Sequence, residues 1–301
     1  MEYPQVIKES LIFSNKESFL YKLSSLKNKR TVIVADFDYT FSLRYFNNTQ
    51  LYSSYCFLEN SSFVTSHNPH FTEELNCIFT NYAHYETDTS IDFEFRKNKV
   101  REWFMKSFEL YIKQKIPKSE FIHIVKEAYN TNKFFFRKNL KEFIQRLIEY
   151  DIPLIIISGG IKEIIEILLR EYLQELYTEL TKKKLLTILA NHFTYDSNNF
   201  INGITTPIVY TFNKSTFVFE VVNSYRNVDT VVVLGDHLND YDSIKEANVP
   251  NTIGVGFINV DPSRECDLKE IDKYNKVYDC SILYDGSFNY VNTIIDSLYK
   301  Y

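Results

Sequence analysis

A chain of 301 residues has room for two domains of ordinary size, roughly 100–200 residues each. It is 45% hydrophobic and 16% aromatic with only 7 glycines and 7 prolines, which excludes a linker-rich or disordered polypeptide. Its 34 basic and 39 acidic residues are intermixed (net charge −5), so no basic stripe marks a nucleic-acid partner held through its phosphates.

At the N-terminus, Glu2, Lys8 and Glu9 interrupt any apolar run, so Met1-Glu2-Tyr3-Pro4 does not open a secretory signal. The first strongly β-forming run is Thr31-Val32-Ile33-Val34-Ala35. About 115 residues separate it from the next such run, far more than a simple crossover helix needs, so something folded is inserted there. Residues 46–139 are aromatic-rich and helical in pattern. Between Asn98 and Gln114, for example, Val100, Trp103, Phe104, Phe108 and Tyr111 fall on one helical face. Lys138 to Tyr150 places Leu140, Phe143, Ile144 and Leu147 on one side of an amphipathic helix. The second β run, Pro153-Leu154-Ile155-Ile156-Ile157, is followed by a helical segment from Lys162 to Leu173; the third is Thr230-Val231-Val232-Val233-Leu234. Asn202-Gly203 suits a hairpin turn.

Runs apolar on both faces belong in the middle of a parallel sheet, and their alternation with helices predicts a doubly wound, Rossmann-like α/β core. Residues 1–45 and 140–301 form that core, and 46–139 an inserted, mainly helical cap over the carboxyl edge of the sheet. The longest apolar stretch, Ile152 to Ile157, is far short of the ~20 residues that cross a bilayer. Cys56, Cys77, Cys266 and Cys280 are scattered without a C-x-x-C pair, as in a cytoplasmic protein with reduced thiols. A monomer without membrane or nucleic-acid partners is expected.

Polar clusters follow all three runs. Asp36-Phe37-Asp38-Tyr39-Thr40 comes directly after the first, where open α/β sheets bind ligands. Two carboxylates so close repel unless a cation or proton intervenes. A hard divalent ion with oxygen ligands resolves this, and Mg2+ suits a site that also holds phosphate. Gly235-Asp236-His237-Leu238-Asn239-Asp240 follows the third run in the same way. Ser158-Gly159-Gly160 follows the second and is expected to open a helix as an anion-binding end. Lys214 is expected on the loop before the third run. Nucleophile, metal ligands, phosphate donors and a cation are the parts of phosphoryl transfer.

These motifs resemble those of the haloacid dehalogenase superfamily: Asp36/Asp38/Thr40, Ser158, Lys214 and Asp236/Asp240. Beyond that the chain is similar to the cytosolic 5′-nucleotidase III (pyrimidine 5′-nucleotidase) family. The likeness lies in Asp36 to Ser42, Thr65-Ser66-His67-Asn68, Glu102-Trp103, Phe212-Asn213-Lys214, Leu234-Gly235-Asp236, Val255-Gly256-Phe257 and Tyr278-Asp279. Gly159 stands where the family has a small residue. His237 and Asn239 depart from the Ser and Gly more familiar there.

The resemblance implies a magnesium-dependent 5′-nucleotidase. Asp36 attacks phosphorus to form an aspartyl-phosphate, and Asp38 is the general acid and base. Asp36, the backbone carbonyl of Asp38, Asp236 and Asp240 hold the metal; Thr40, Ser158, Gly159 and Lys214 hold the phosphate. Asp240 also suits a purely bracing role, and Asp242 suits a helix cap. In the cap, His67, Glu94 and Trp103 match positions near the base, with Glu86, Asp88 and Asp92 competing for the register of Glu94. His67 stands where relatives acting on 7-methylguanosine monophosphate carry tryptophan, which favours UMP or CMP over 7-methyl-GMP. Alternatives are a phosphatase for another small metabolite such as phosphoserine, and a nucleotide-binding protein without turnover.

Overall fold

The structure, a computed structural model, describes residues 10–261 and 264–300. The segment read above for targeting signals, through Glu9, lies outside the described residues.

The three apolar runs become adjacent central strands, Thr230–Gly235, Thr31–Ala35 and Leu154–Ile161, side by side and parallel. Among the described residues the sheet has seven strands. Asn251–Ile258, Cys280–Leu283 and an edge strand, Leu11–Phe13, extend it on one side, and Leu186–Asn191 on the other. Among these seven strands, only Leu11–Phe13 runs antiparallel to its neighbour.

Alternate residues of these strands feed different cores, as a period of two dictates. Val32, Val34, Ile155, Ile157, Val231 and Val233 pack with Val218 and Val222 of the helix Lys214–Ser224. Ile33, Ile156, Val232 and Ile253 face the other way, onto the helices Leu140–Glu149, Lys162–Leu173 and Asn289–Tyr299. With helices on both faces the sheet is doubly wound. From Thr31–Ala35 the chain goes first to the strand on one side and later to the strand on the other, so the crevice beyond Ala35 is a topological switch point.

The insert carries six helices among its described residues, Cys56–Glu59, Ser62–His67, Phe71–Tyr82, His84–Thr87, Phe93–Lys113 and Glu120–Asn130. Asp92 starts the longest by accepting from the Phe95 amide at 3.0 Å. The insert's apolar side chains, Phe57, Phe71, Val100, Phe108, Tyr111 and Phe121, are continuous with the larger sheet core. At the neck, the outgoing and returning chains pair: Leu43 donates to the Phe135 carbonyl and Arg137 to that of Phe41. The fully buried Arg137 guanidinium donates to the carbonyls of Tyr39 (2.6 Å), Thr40 (2.8 Å) and Gly286 (2.8 Å) and lies over Phe257. Asp285 accepts from the amides of Arg44 and Tyr45 beside it.

Four expectations need correction. The second strand runs on to Ile161, so Ser158-Gly159-Gly160 lies in its irregular end and not at a helix mouth. Ile157 pairs with Leu189 but Ile161 with Asn191, and the surplus residues bulge out of the ladder. Lys214 is the first residue of a helix, not a loop residue. Asn202-Gly203 lies inside the strand Ile201–Ile204; the turn falls earlier, where the Asp196 carboxylate accepts from the amides of Asn198 and Phe200. Asp242 is an exposed residue within the 3-10 helix Leu238–Ile244, and His237 provides the cap.

Candidate active site

The three central strands end on one edge, and each sends polar residues into the same crevice. The Asp36 amide donates to the Leu234 carbonyl at 2.9 Å, tying the first loop to the third strand. Carboxylate oxygens of Asp36, Asp236 and Asp240 come within 4.8 Å of one another. Lys214, buried at the start of its helix, donates to Asp36 Oδ1 at 2.6 Å and to Asp240 Oδ1 at 2.7 Å.

The loop after the third strand is held from several sides. The other Asp240 oxygen accepts from the His237 amide at 2.9 Å, and the His237 ring accepts from the Asn239 amide at 3.3 Å. The family departure at His237 thus supplies a helix cap. Gly235 is required because a Cβ there would lie 2.3 Å from Cβ of Asp240. Two phenols brace the loop from behind: Tyr274 donates to the Asp236 carbonyl, and Tyr278 to that of His237 at 2.6 Å.

Burial raises the Asp36 carboxyl above its usual range; Lys214 opposes this, while Asp240 and Asp236 add to it. Burial, then Asp240, pushes Asp236 up to about 7. Burial disfavours the charge on Lys214, but Asp240 and Asp36 outweigh it and hold the ammonium charged. Three carboxylates facing one ammonium leave surplus negative charge, which a divalent cation relieves. The donors are all hard oxygens, the set that magnesium prefers, so these residues fit the ion.

On the phosphate side, Thr40 is fully buried and its Oγ1 has no hydrogen-bond partner among the described residues, a donor free for an anion's oxygen. Ser158 is buried and its Oγ accepts from the Gly160 amide at 3.0 Å. Asp38 stands apart from the charged cluster. Its carboxyl is enclosed beneath Ser54, whose amide donates to Oδ1 at 2.7 Å and whose hydroxyl donates to Oδ2 at 2.6 Å. Enclosure pushes Asp38 up to about 6 against these two bonds, which pull it down.

The insert closes over the crevice with rings. Tyr55 donates its hydroxyl to the Gly159 carbonyl, and Asn191 donates there too. A Cβ on Gly159 would touch Phe104, whose ring centre is 6.2 Å from that of Tyr210. Phe93 and Arg96 pack on Phe212, and Glu86 accepts from Thr211. A cleft of ≈ 220 Å³ opens between Phe93 and Lys97 on one side and Phe212, Lys214 and Asn239 on the other.

Of the cap residues read from sequence, none is brought to the carboxylates. His67 is exposed and stacked on Phe63, with Nδ1 against the Phe63 carbonyl at 2.7 Å. Glu94 is exposed, 3.8 Å from Lys97. Trp103 is half-buried between Phe79 and Phe104. The acidic residue that reaches the core is Glu86, and the aromatic one lying on Gly159 is Tyr55. Sequence alone names Glu86 only as a competitor to Glu94 in register, and misses Tyr55, Ser54 and Asn191. The one available signal was the string Ser53-Ser54-Tyr55 soon after the first motif, which is short and polar and has no periodicity to mark it.

A family model described as "Pyrimidine 5′-nucleotidase (UMPH-1)" matches residues 39–299. The 7-methylguanosine phosphate-specific 5′-nucleotidase A of Xenopus laevis is 25% identical over 302 aligned positions, covering 98% of each chain. The 7-methylguanosine phosphate-specific 5′-nucleotidase of Homo sapiens is 25% identical over 275 positions, covering 89% of this chain and 85% of its own. Among solved structures, cytosolic 5′-nucleotidase IIIB bound to cytidine superposes with a TM-score of 0.77 at 20% identity, covering 97% of this chain and 95% of the other.

Proposed function

The chain belongs to the pyrimidine 5′-nucleotidase family, phosphoric monoester hydrolases of the haloacid dehalogenase fold, and we propose that it hydrolyses a nucleoside 5′-monophosphate with Asp36 as nucleophile. The observation that carries this reading is the convergence of Asp36, Asp236 and Asp240 around the Lys214 ammonium. Asp36 and Asp236, with the backbone carbonyl of Asp38, are the groups that would hold Mg2+; Asp240, with both oxygens engaged, braces the lysine and the loop. Bound there, the ion supplies neutralisation of the phosphoryl oxygens and of the clustered carboxylates.

The remaining work belongs to side chains. Lys214, Thr40, Ser158 and the Gly159 backbone orient the phosphate and offset charge on its oxygens. An Asp36 oxygen attacks phosphorus as the bond to the 5′ oxygen breaks, and the Asp38 carboxyl gives that oxygen its proton. Water then attacks the phosphorus, yields a proton to the Asp38 carboxylate and frees Asp36 as inorganic phosphate leaves. Asp38 suits this exchange because neutral donors hold it, whereas Asp36 is fixed against a cation.

Tyr55, Phe104 and Tyr210, with Trp103 behind them, offer the base an aromatic wall, and Glu86 adds a carboxylate at its edge. The pyrimidine preference drawn from His67 loses its support, since that ring packs on Phe63. The relatives' names support 7-methylguanosine monophosphate, already a candidate beside UMP and CMP, and a methylated, cationic guanine suits an aromatic face beside an acid. A cytosolic location is part of this reading.

Phosphate release from UMP, CMP, 7-methyl-GMP and phosphoserine, with magnesium and with excess chelator, tests it. We expect one of the nucleotides to exceed phosphoserine at least tenfold, and chelation to stop turnover reversibly. Faster release from phosphoserine would falsify the substrate class.

A further inference from the structure

We propose that Ser54 is a positioning residue for the general acid: it fixes the Asp38 carboxyl plane from the insert, so leaving-group protonation depends on how the insert docks. This rests on the role given to Asp38 above.

Three observations carry it. Among the described residues, the hydrogen bonds to the Asp38 carboxyl both come from Ser54, amide to Oδ1 at 2.7 Å and hydroxyl to Oδ2 at 2.6 Å. An aspartate's terminal torsion is broad and roughly two-fold, so one donor per oxygen is what defines its plane. A carboxyl group offers about four lone-pair sites, and Ser54 leaves the others for the departing oxygen and the incoming water. Second, the Ser54 hydroxyl has nowhere else to go. The residue is fully buried, and a Cβ on Gly160 would lie 1.9 Å from its Oγ and 3.1 Å from Asp38 Oδ2. The bare Gly160 backbone is therefore what lets Ser54 reach the carboxyl. Third, the next residue docks the same segment on the opposite wall, through the Tyr55 hydroxyl on the Gly159 carbonyl. Ser54 and Tyr55 together pin the start of the insert across the first and second strand ends.

A group that acts by aiming an acid matters most when the leaving group needs a proton. The 5′ oxygen of a nucleoside leaves poorly as an anion; 4-nitrophenolate leaves well unaided. The quantity to measure is kcat/KM, which stops at departure of the alcohol, for CMP and for 4-nitrophenyl phosphate, and then the ratio of the two. Asp38→Asn calibrates the assay, since removing a general acid costs a poor leaving group about 10²–10⁴-fold. We expect Ser54→Ala to lower the CMP to 4-nitrophenyl phosphate ratio about tenfold or more, in the direction of Asp38→Asn. Gly160→Ala, which crowds the serine from the other side, lowers the ratio too, and Ser54→Cys, which keeps the amide and weakens the side-chain donor, lowers it less. The rate on 4-nitrophenyl phosphate reports in the same samples whether each variant is folded. An unchanged ratio in Ser54→Ala beside a lowered one in Asp38→Asn overturns the proposal and leaves the acid in place. An unchanged ratio in both removes the acid role of Asp38 and the proposal with it. A fall confined to the Ser54 variants also overturns it, because the effect then does not pass through Asp38.

Discussion

In the strand-end crevice, charge holds charge: Lys214 sits between Asp36 and Asp240, and Asp236 lies within reach of both. In the insert above it, contacts with the core are made by rings and neutral donors: Phe104 on Gly159, Phe93 on Phe212, Tyr55 on the Gly159 carbonyl and Ser54 on Asp38. The crevice is suited to one reaction on one kind of group, a phosphoryl. The wall above it is adaptable, because aromatic faces accept many partners and a ring can be exchanged without disturbing the carboxylates. Substitutions in the two regions therefore have different signatures, in turnover below and in selection above.

The sharpest break is Asp36→Asn, expected to reduce phosphate release on the order of 10⁴–10⁶-fold, the scale of removing a nucleophile, with little change in nucleotide KM. Next comes the neck that joins the two regions. Arg137→Met strands the carbonyls of Tyr39, Thr40 and Gly286 and leaves the buried Asp285 without its cation. A loss of about 3–5 kcal/mol is expected by denaturant titration. In the wall, Phe104→Ala is expected to raise KM for the preferred nucleotide, since base–aromatic stacking is worth about 1–3 kcal/mol. The same variant is expected to leave kcat within a few-fold; a collapse of kcat instead would show that the insert and the crevice are not separable.

The smallest effect lies on an exposed ring next to Asn191. His192 is hydrogen-bonded to Glu163 at 2.9 Å, and that bond raises its ring above the usual value. A raised histidine contributes stability that is complete below its unfolded pKa, ~6.5, and is lost as pH rises through the folded one. The ring is half exposed, so His192→Gln is expected to cost within about 1 kcal/mol. The melting-temperature gap to the parent is expected to be widest near about pH 5 and to close on the alkaline side.

The crevice was legible in the sequence because its chemistry is contiguous. Asp36-x-Asp38-x-Thr40 and Gly235-Asp236 each follow a run whose β character is unmistakable, and the sheet brings strand ends together whatever the loops do. The edge strands and the bulge at Ser158 were not legible; both depend on pairing with distant partners such as Asn191. The wall was less legible for a related reason. His67 was singled out by a four-residue string, but the short helix Ser62–His67 turns that ring onto Phe63. Periodicity gave the buried face of Phe93–Lys113, yet it says nothing of which acidic residue at or before the start of that helix turns inward. Tertiary docking brings Glu86 onto Thr211, while Glu94 stays exposed beside Lys97.

Tyr274 and Tyr278 clasp successive carbonyls of the acidic loop, so its shape is preorganised whatever fills the crevice. Mutual repulsion of the carboxylates is then not dissipated by the loop swinging outward; it remains an electrostatic strain on the loop. A cation that enters relieves that strain without rearranging the backbone, and the protein's melting point accordingly climbs with cation concentration by mass action.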